Sequence, residues 1–279
     1  MIKNFKDKLC VITGGSSGIG LAVAEALARE GARLLLVARD PAALDKAAAQ
    51  LRTLGASEVQ TLSADVSRDE DVARLPAAIQ AMAPAADLIV NSAGIVSGGL
   101  LHEVPLDEWR RLHEINVLGV VRVIDAVLPA MLARGQGGQI VNIASGAGLV
   151  GFPSLSAYGA TKSAVITMGE CMRSELAASR IGVTTVCPGF VKTPIASKFK
   201  LFGRMDNERT QRFVATWFER NNLEAHTVAR KTLAAVRANR GLVVVGRDVV
   251  SGYWTKRFSP RLLEAAIQRM TPGGSRKAA

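Results

Sequence analysis

The chain has 279 residues, with 35 Lys and Arg against 24 Asp and Glu, a formal net charge of +11, and 48% hydrophobic and 21% charged residues. That length supports one large domain or two small ones, and the composition excludes a disordered chain. No uninterrupted apolar run nears the ~18 residues of a membrane-spanning helix, no secretory leader is evident in MIKNFKDKLCVITGG, and Cys10, Cys171 and Cys187 are too scattered for a disulfide framework or zinc site, so a cytoplasmic setting is expected.

Short β-type runs alternate with helical patterns from the start. Strands are expected at 9–13, 33–38, 58–62, 87–91, 138–144 and 182–187, mostly continuous Val, Ile and Leu runs. Such runs suit strands buried on both faces of a parallel sheet. Helices are expected at 18–30, 41–54, 107–134 and 157–179, with a weaker pattern at 68–81. Asp40-Pro41 reads as a cap followed by proline at the first helical position, and Asp107 is expected to cap the long helix carrying Asn116. No linker or internal repeat divides the chain. The order defines an α/β fold with a doubly wound parallel sheet in three α/β/α layers.

The first strand runs into Thr13-Gly14-Gly15-Ser16-Ser17-Gly18-Ile19-Gly20 and then a helix. Glycines 14, 18 and 20 permit a tight turn and close backbone approach to a pyrophosphate, and the helix N-terminus adds partial positive charge. Its position between a buried strand and an amphipathic helix separates this turn from an ordinary glycine-rich one. About 20 residues later, an acid at the end of the second strand would bind the ribose 2′-hydroxyl of NAD, and a basic residue the 2′-phosphate of NADP. The sequence reads Val37-Ala38-Arg39-Asp40, with alanine at the acid position, arginine next, and Asp40 assigned to the helix cap. NADP(H) is therefore expected in preference to NAD(H).

Tyr158 and Lys162 lie four residues apart, on one face of a helix. Carbonyl reduction needs a proton donor beside the substrate oxygen, and a free tyrosine, with a pKa of ~10, is poorly matched to neutral pH. A lysine one turn away, with the positive charge of an oxidised nicotinamide, is expected to stabilise the phenolate and lower that pKa.

Taken together, TGGSSGIG at 13–20, Asp65-Val66, Asn91-Ser-Ala-Gly94, Asn116, Ser145, Tyr158/Lys162 and Pro188-Gly189 resemble the short-chain dehydrogenase/reductase family of the single-domain Rossmann type, from about residue 7 to 195. The family's NNAG element stands here as NSAG, a departure at Ser92. The resemblance implies Tyr158 as general acid in reduction and base in oxidation. It implies Ser145 as holder of the carbonyl oxygen, Lys162 on the nicotinamide ribose, and Asn116 positioning a water of the proton relay. It assigns Gly14, Ser16, Ser17, Gly18, Ile19 and Gly20 to the pyrophosphate, with Arg39 at the adenosine end. Asp65 and Val66 would meet the adenine, and Asn91, Ala93 and Gly94 the adenosine ribose. Pro188, Gly189, Val191 and Thr193 would border the carboxamide and pyrophosphate. It further implies a homodimer or homotetramer. His102, His113 and His226 lack metal-ligand spacing, and the cysteines read as core packing; no metal is expected.

The last third holds the charge imbalance. Residues 1–197 carry 18 basic and 18 acidic side chains, whereas 198–279 carry 17 and 6. The same stretch holds eight of the thirteen aromatic residues. The catalytic domain is expected to run over 1–250, with a helical substrate lid at about 190–222 and a basic amphipathic extension at 251–279. Within these, 223–236 reads as a helix, 242–245 as a last strand, and Ser259-Pro260 as the start of a helix with Leu262, Leu263, Ala266, Ile267 and Met270 on one face. Phe190, Ile195, Phe199, Leu201, Phe202, Phe213, Trp217 and Phe218 point to a bulky or long-chain hydrophobic ketone or secondary alcohol, or else pack the lid on its own body. The segment 253–270, with Lys256, Arg257, Arg261 and Arg269 among apolar residues, fits a membrane interface or a second subunit. Two other function classes stay open: a non-catalytic binding module using the basic tail, and a dehydratase or epimerase holding its nucleotide. The tail carries no nucleic-acid-binding motif, and nucleic acid is not expected as a partner.

Overall fold

The computed structural model describes residues 2–195, 199–220 and 223–270, without the side chains of 213, 217–220, 269 and 270. In chain order it begins β1 (Leu9–Thr13), α1 (Gly18–Ala28), β2 (Arg33–Ala38), α2 (Pro41–Thr53), β3 (Glu58–Ser63), α3 (Asp69–Val72), α4 (Leu75–Gln80), β4 (Leu88–Asn91) and the two-residue β5 (Ser97–Gly98). It continues through α5 (Leu106–His113), a π-helical turn (Glu114–Leu118), α6 (Gly119–Arg134), β6 (Gly138–Ile143), α7 (Gly146–Leu149), α8 (Ser156–Glu175) and β7 (Ile181–Pro188). The last part contains β8 (Val191–Lys192), β9 (Lys200–Leu201), a 3-10 turn (Gly203–Met205), α9 (Glu208–Arg220), β10 (Leu223–Glu224), α10 (Ala225–Arg237), β11 (Leu242–Val245), α11 (Arg247–Phe258) and α12 (Pro260–Met270).

Seven strands form one parallel sheet in the order β11-β7-β6-β4-β1-β2-β3. Alternate residues of each central strand feed different cores, which is why these strands read as unbroken apolar runs. Cys10 and Ile12 of β1 join Ala22, Val23 and Leu27 of α1 and Val228, Leu233 and Val236 of α10. Leu9 and Val11 join Val123, Val127 and Met131 of α6 and Val165 of α8 on the other face. Of two smaller parallel pairs, β5 with β9 ties the chain after β7 to the body, and β8 with β10 joins two parts of that later chain.

Several expectations need correction. The 68–81 helix is two short ones, α3 and α4, with Pro76 in the first turn of the second; a proline fits there because it lacks the N–H that a helix interior requires. Asp107 does not cap the long helix. Pro105 takes the N-cap position, and Asp107 pairs with Arg110 inside the first turn. The long helix itself is interrupted by the π turn, which holds Asn116. Asp40 caps α2 as expected, accepting from the Ala43 N–H at 3.2 Å. By length and composition the stretch Leu106–Arg134 is apolar enough to cross a membrane, with an 18-residue window at a mean hydropathy of 1.9. Arg122 and Asp125 hide it from a search for unbroken runs, and its Val120, Val123, Ile124, Val127 and Met131 are buried against the sheet.

Candidate active site

The strand order reverses between β1 and β4, so the loops leaving their C-terminal ends part and open a crevice. A cleft of about 640 Å³ occupies that crevice. Most of the expected residues line it: Gly14, Ser16, Ser17, Gly18 and Ile19 from the first loop, Arg39, Asp65 and Val66 at one end, and Ala93 and Gly94 beside β4. Ser145, Tyr158 and Lys162, with Pro188, Gly189, Val191 and Thr193, line the rest. Gly20, Asn91 and Asn116 stand behind the wall and do not line it.

Each of the three is displaced for a local reason. Gly20 is in the first turn of α1, where any side chain would run into the Gly14 carbonyl. Asn91 is 2% exposed and donates across the sheet to Asn142 Oδ1 at 2.9 Å, so it supports the strand ends and leaves the cleft to Ala93 and Gly94. Asn116 is fully buried. Its Oδ1 accepts from the Ile95 N–H at 2.9 Å, while Nδ2 donates to the Ile95 carbonyl and to Thr161 Oγ1. Both amide donors are thereby used, which leaves one Oδ1 lone pair and the backbone of the π turn for any water.

The first loop fits an anion. Gly14 has φ +66°, and a methyl group there would stand 2.9 Å from the Ala93 nitrogen, so only glycine brings the two loops this close. Ser17, extended at φ −160°, leads into α1 and turns its unpaired N–H groups toward the cleft. Thr13 Oγ1 accepts from the Ser92 and Ala93 N–H groups at 3.1 and 3.2 Å, which fixes the NSAG turn against the glycine loop. The sequence reading named Thr13 only as the first letter of the motif; its hydroxyl joins the two loops.

At the end of the cleft beyond β2, Arg39 Nη1 lies 3.7 Å from Asp65 Oδ2 and is well exposed. Burial pushes the Asp65 carboxyl up, but two hydrogen bonds from Ser67 and the Arg39 guanidinium outweigh it and hold the pKa below the usual range. Ala38 follows Val37, and Asp40 lines the cleft two residues further on, with Oδ1 taken by the α2 cap.

At the opposite end, Lys162 is buried and donates from Nζ to the Ile143 carbonyl at 3.0 Å, 5.8 Å from the Tyr158 ring centre. Burial lowers its pKa to about 8. Burial also raises the Tyr158 phenol to about 12, with the facing Ser145 hydroxyl offsetting part of the rise. Lys162 was expected to lower the phenol; in the protein alone, desolvation dominates both groups. Ser145 begins α7 and accepts from the Ala147 N–H through Oγ at 3.1 Å. Thr161, missed in the sequence, donates to the Tyr158 carbonyl and accepts from Asn116, bridging the π turn to α8. Its adjacency to Lys162 was the available signal.

Apolar side chains close this end of the cleft. Phe152, Leu155, Phe190, Ile195 and Phe199 line it, with Phe152 and Phe190 edge to face at 6.5 Å. Phe202 instead packs beside Tyr158 with Val104, Leu112 and Trp109, so part of the aromatic set belongs to the body. The side chains of Phe213, Trp217 and Phe218 lie outside the described residues. Val249 of α11 also lines the cleft, resting on Gly146, where a methyl would overlap its side chain. Of the histidines, His113 stacks on Trp109 and His226 contacts Glu25. Among the described residues, no group of three His, Cys, Asp or Glu gathers as metal ligands do.

This fold carries the sheet order of an oxidoreductase family, and residues 8–201 match the short chain dehydrogenase family, to which the chain belongs. It is 38% identical over 192 residues to 2-(S)-hydroxypropyl-CoM dehydrogenase 3 of Xanthobacter autotrophicus, covering 68% of this chain and 74% of that protein. Its structure superposes on a short chain dehydrogenase/reductase from Burkholderia phymatum in complex with NAD, with a TM-score of 0.83 and 31% identity, covering 94% of this chain and 96% of that one. It is also similar to L-sorbose reductase from Gluconobacter frateurii complexed with NADPH and L-sorbose, with a TM-score of 0.76, 29% identity and coverage of 88% and 97%.

Proposed function

We propose that the protein is an NADP(H)-dependent oxidoreductase that interconverts a bulky hydrophobic ketone and its secondary alcohol. The observation that carries this reading is the meeting of Ser145, Tyr158 and Lys162 with an apolar wall of Phe152, Phe190 and Phe199 at one end of the cleft. The glycine loop fits a dinucleotide, because its backbone is bare where the pyrophosphate needs close approach. Gly14, Ser16, Ser17, Gly18 and Ile19 would hold the pyrophosphate, Ala93 and Gly94 the adenosine ribose, and Lys162 the nicotinamide ribose. Gly189, Val191 and Thr193 would border the carboxamide end. When bound, the cofactor supplies or accepts hydride at the carbonyl carbon.

The chain's own residues handle the proton and the orientation. Ser145 donates a hydrogen bond to the carbonyl oxygen and steadies the charge developing there. Tyr158 gives its phenolic proton to that oxygen in reduction and takes it back in oxidation. Thr161 and Asn116 position the helix that carries Tyr158, and the π turn provides the backbone for a relay water. The apolar wall excludes bulk water and accepts the substrate's hydrocarbon body.

Arg39 supports NADP(H), with Ala38 in the acid position and one oxygen of Asp40 taken by the α2 cap. Initial rates with NADPH and NADH test this choice; preference for NADH would remove the Arg39 argument. Tyr158→Phe tests the chemistry: turnover should vanish while nucleotide affinity survives. A homodimer or larger assembly of identical subunits fits the exposed Val121 and Leu132, which fall within about 20° of each other around α6. Residues 1–250 are read as the catalytic domain, with 190–222 as lid, in the cytoplasm.

A further inference from the structure

The segment after β11 does two things at once. Its first turn contributes Val249 to the cleft, and its later turns leave apolar and basic side chains in the open. Trp254, Phe258 and Leu262 are 49%, 78% and 63% exposed, although large apolar side chains normally find cover. Trp254 and Phe258 stack at 5.6 Å with their planes 13° apart, forming one continuous aromatic surface. Arg257 and Arg261 are interleaved with them and exposed. Among the described side chains of α12, none is buried. An isolated 11-residue helix is marginal in water, so α12 needs a surface to lie on.

We propose that the aromatic and basic face of α11 and α12 docks on an anionic lipid bilayer and sets the mouth of the substrate cleft at that interface. Charge selects this occupant. Between 247 and 270 the sequence has five basic residues and two acidic ones, Asp248 and Glu264. Two copies meeting through this face would bring two net-positive patches together, with Arg257 and Arg261 in each, since a twofold contact uses the same patch on both sides. An anionic lipid surface attracts the same cluster, and exposed Trp, Phe and Leu enter the headgroup boundary beside it.

The arm is fastened to the site. Lys256 Nζ donates to the Leu149 carbonyl at 2.7 Å, which ties α11 to the helix that Ser145 caps. Val249 and Trp254 are five residues apart, about 7.5 Å along a helix, so the docking face starts about one and a half turns from the cleft wall. The docking surface stands on its own geometry; delivery of a membrane-dissolved ketone to the cleft rests on the function proposed above.

Vesicle flotation of the full chain tests the proposal, using vesicles of phosphatidylcholine alone and of phosphatidylcholine mixed with phosphatidylglycerol. The wild-type chain should float with the mixed vesicles only, and added salt should release it. Arg257→Gln with Arg261→Gln should weaken binding about 25-fold, about fivefold for each basic side chain near the surface. Trp254→Ala with Phe258→Ala should also lose binding. Both double variants alter exposed groups, and circular dichroism melting should show them as stable as the parent. Equal flotation with both vesicle types, flotation with neither, or an apolar double variant that keeps vesicle binding and changes oligomeric mass would overturn it. The last result would assign the face to a second copy. Flotation requires no turnover, so failure of the proposed chemistry would show separately.

Discussion

Lys162 Nζ donates to the Ile143 carbonyl at 3.0 Å, which holds a buried amine against the end of β6 and under the Tyr158 ring. Burial brings its pKa to about 8 from an ordinary 10.5. Below pH 8 the folded and unfolded chains both keep this proton. Between about 8 and 10.5 the unfolded chain keeps it and the folded one gives it up, so stability rises with pH. The slope contributed by this one group is at most about 1.4 kcal/mol per pH unit. Denaturant melts of the parent and of Lys162→Met should differ in that slope; parallel curves would mean the amine is not desolvated.

The chain has two tyrosines. Tyr158 is raised to about 12. Ultraviolet titration of the parent minus Tyr158→Phe should isolate one phenol ionising near that pH in the nucleotide-free protein. A midpoint below 10 would show that Lys162 or Ser145 outweighs burial.

Arg39 and Ala38 are expected to set nucleotide choice. Ala38→Asp with Arg39→Ala should shift the ratio of kcat/KM for NADPH over NADH by tenfold or more toward NADH, since loss of one charged contact to phosphate typically costs about 1.5–3 kcal/mol. An unchanged ratio places the 2′-phosphate elsewhere.

Thr161→Val removes the acceptor of the Asn116 amide inside a fully buried pair. A donor left unpaired costs about 1–3 kcal/mol, so melting should fall by several degrees. If Thr161 also positions Tyr158, kcat should drop more than KM changes; a stability loss alone would restrict it to structure.

Gly146→Ala would push Val249 from its seat beside Ser145. The expected outcome is a changed KM for large apolar ketones, with smaller effect on a short one. Equal effects on both would place the displacement outside substrate contact.

The fold was readable because a parallel sheet covered on both faces leaves unbroken Val and Leu runs, as at β1 and β2. The glycine loop, Tyr158 and Lys162 were readable because they are close in sequence and chemically distinctive. What escaped depended on side-chain direction. Asn91 sits in the expected motif, yet its register opposite Asn142 turns it into the sheet. The π turn at Asn116 has no sequence mark, and the bonds of Asn116 to Ile95 and Thr161 join segments distant in the chain. Desolvation of Tyr158 and Lys162 depends on the whole wall around them. Val249 was invisible as a site residue, since it arrives from beyond the last strand and its seat is defined by the absence of a side chain on Gly146.

The seat of Val249 on Gly146 also sets an order of assembly. During synthesis the glycine loop, the NSAG turn and the Ser–Tyr–Lys end all emerge before residue 249 does. In a nascent chain the wall that Val249 contributes is therefore the last part of the cleft to be put in place.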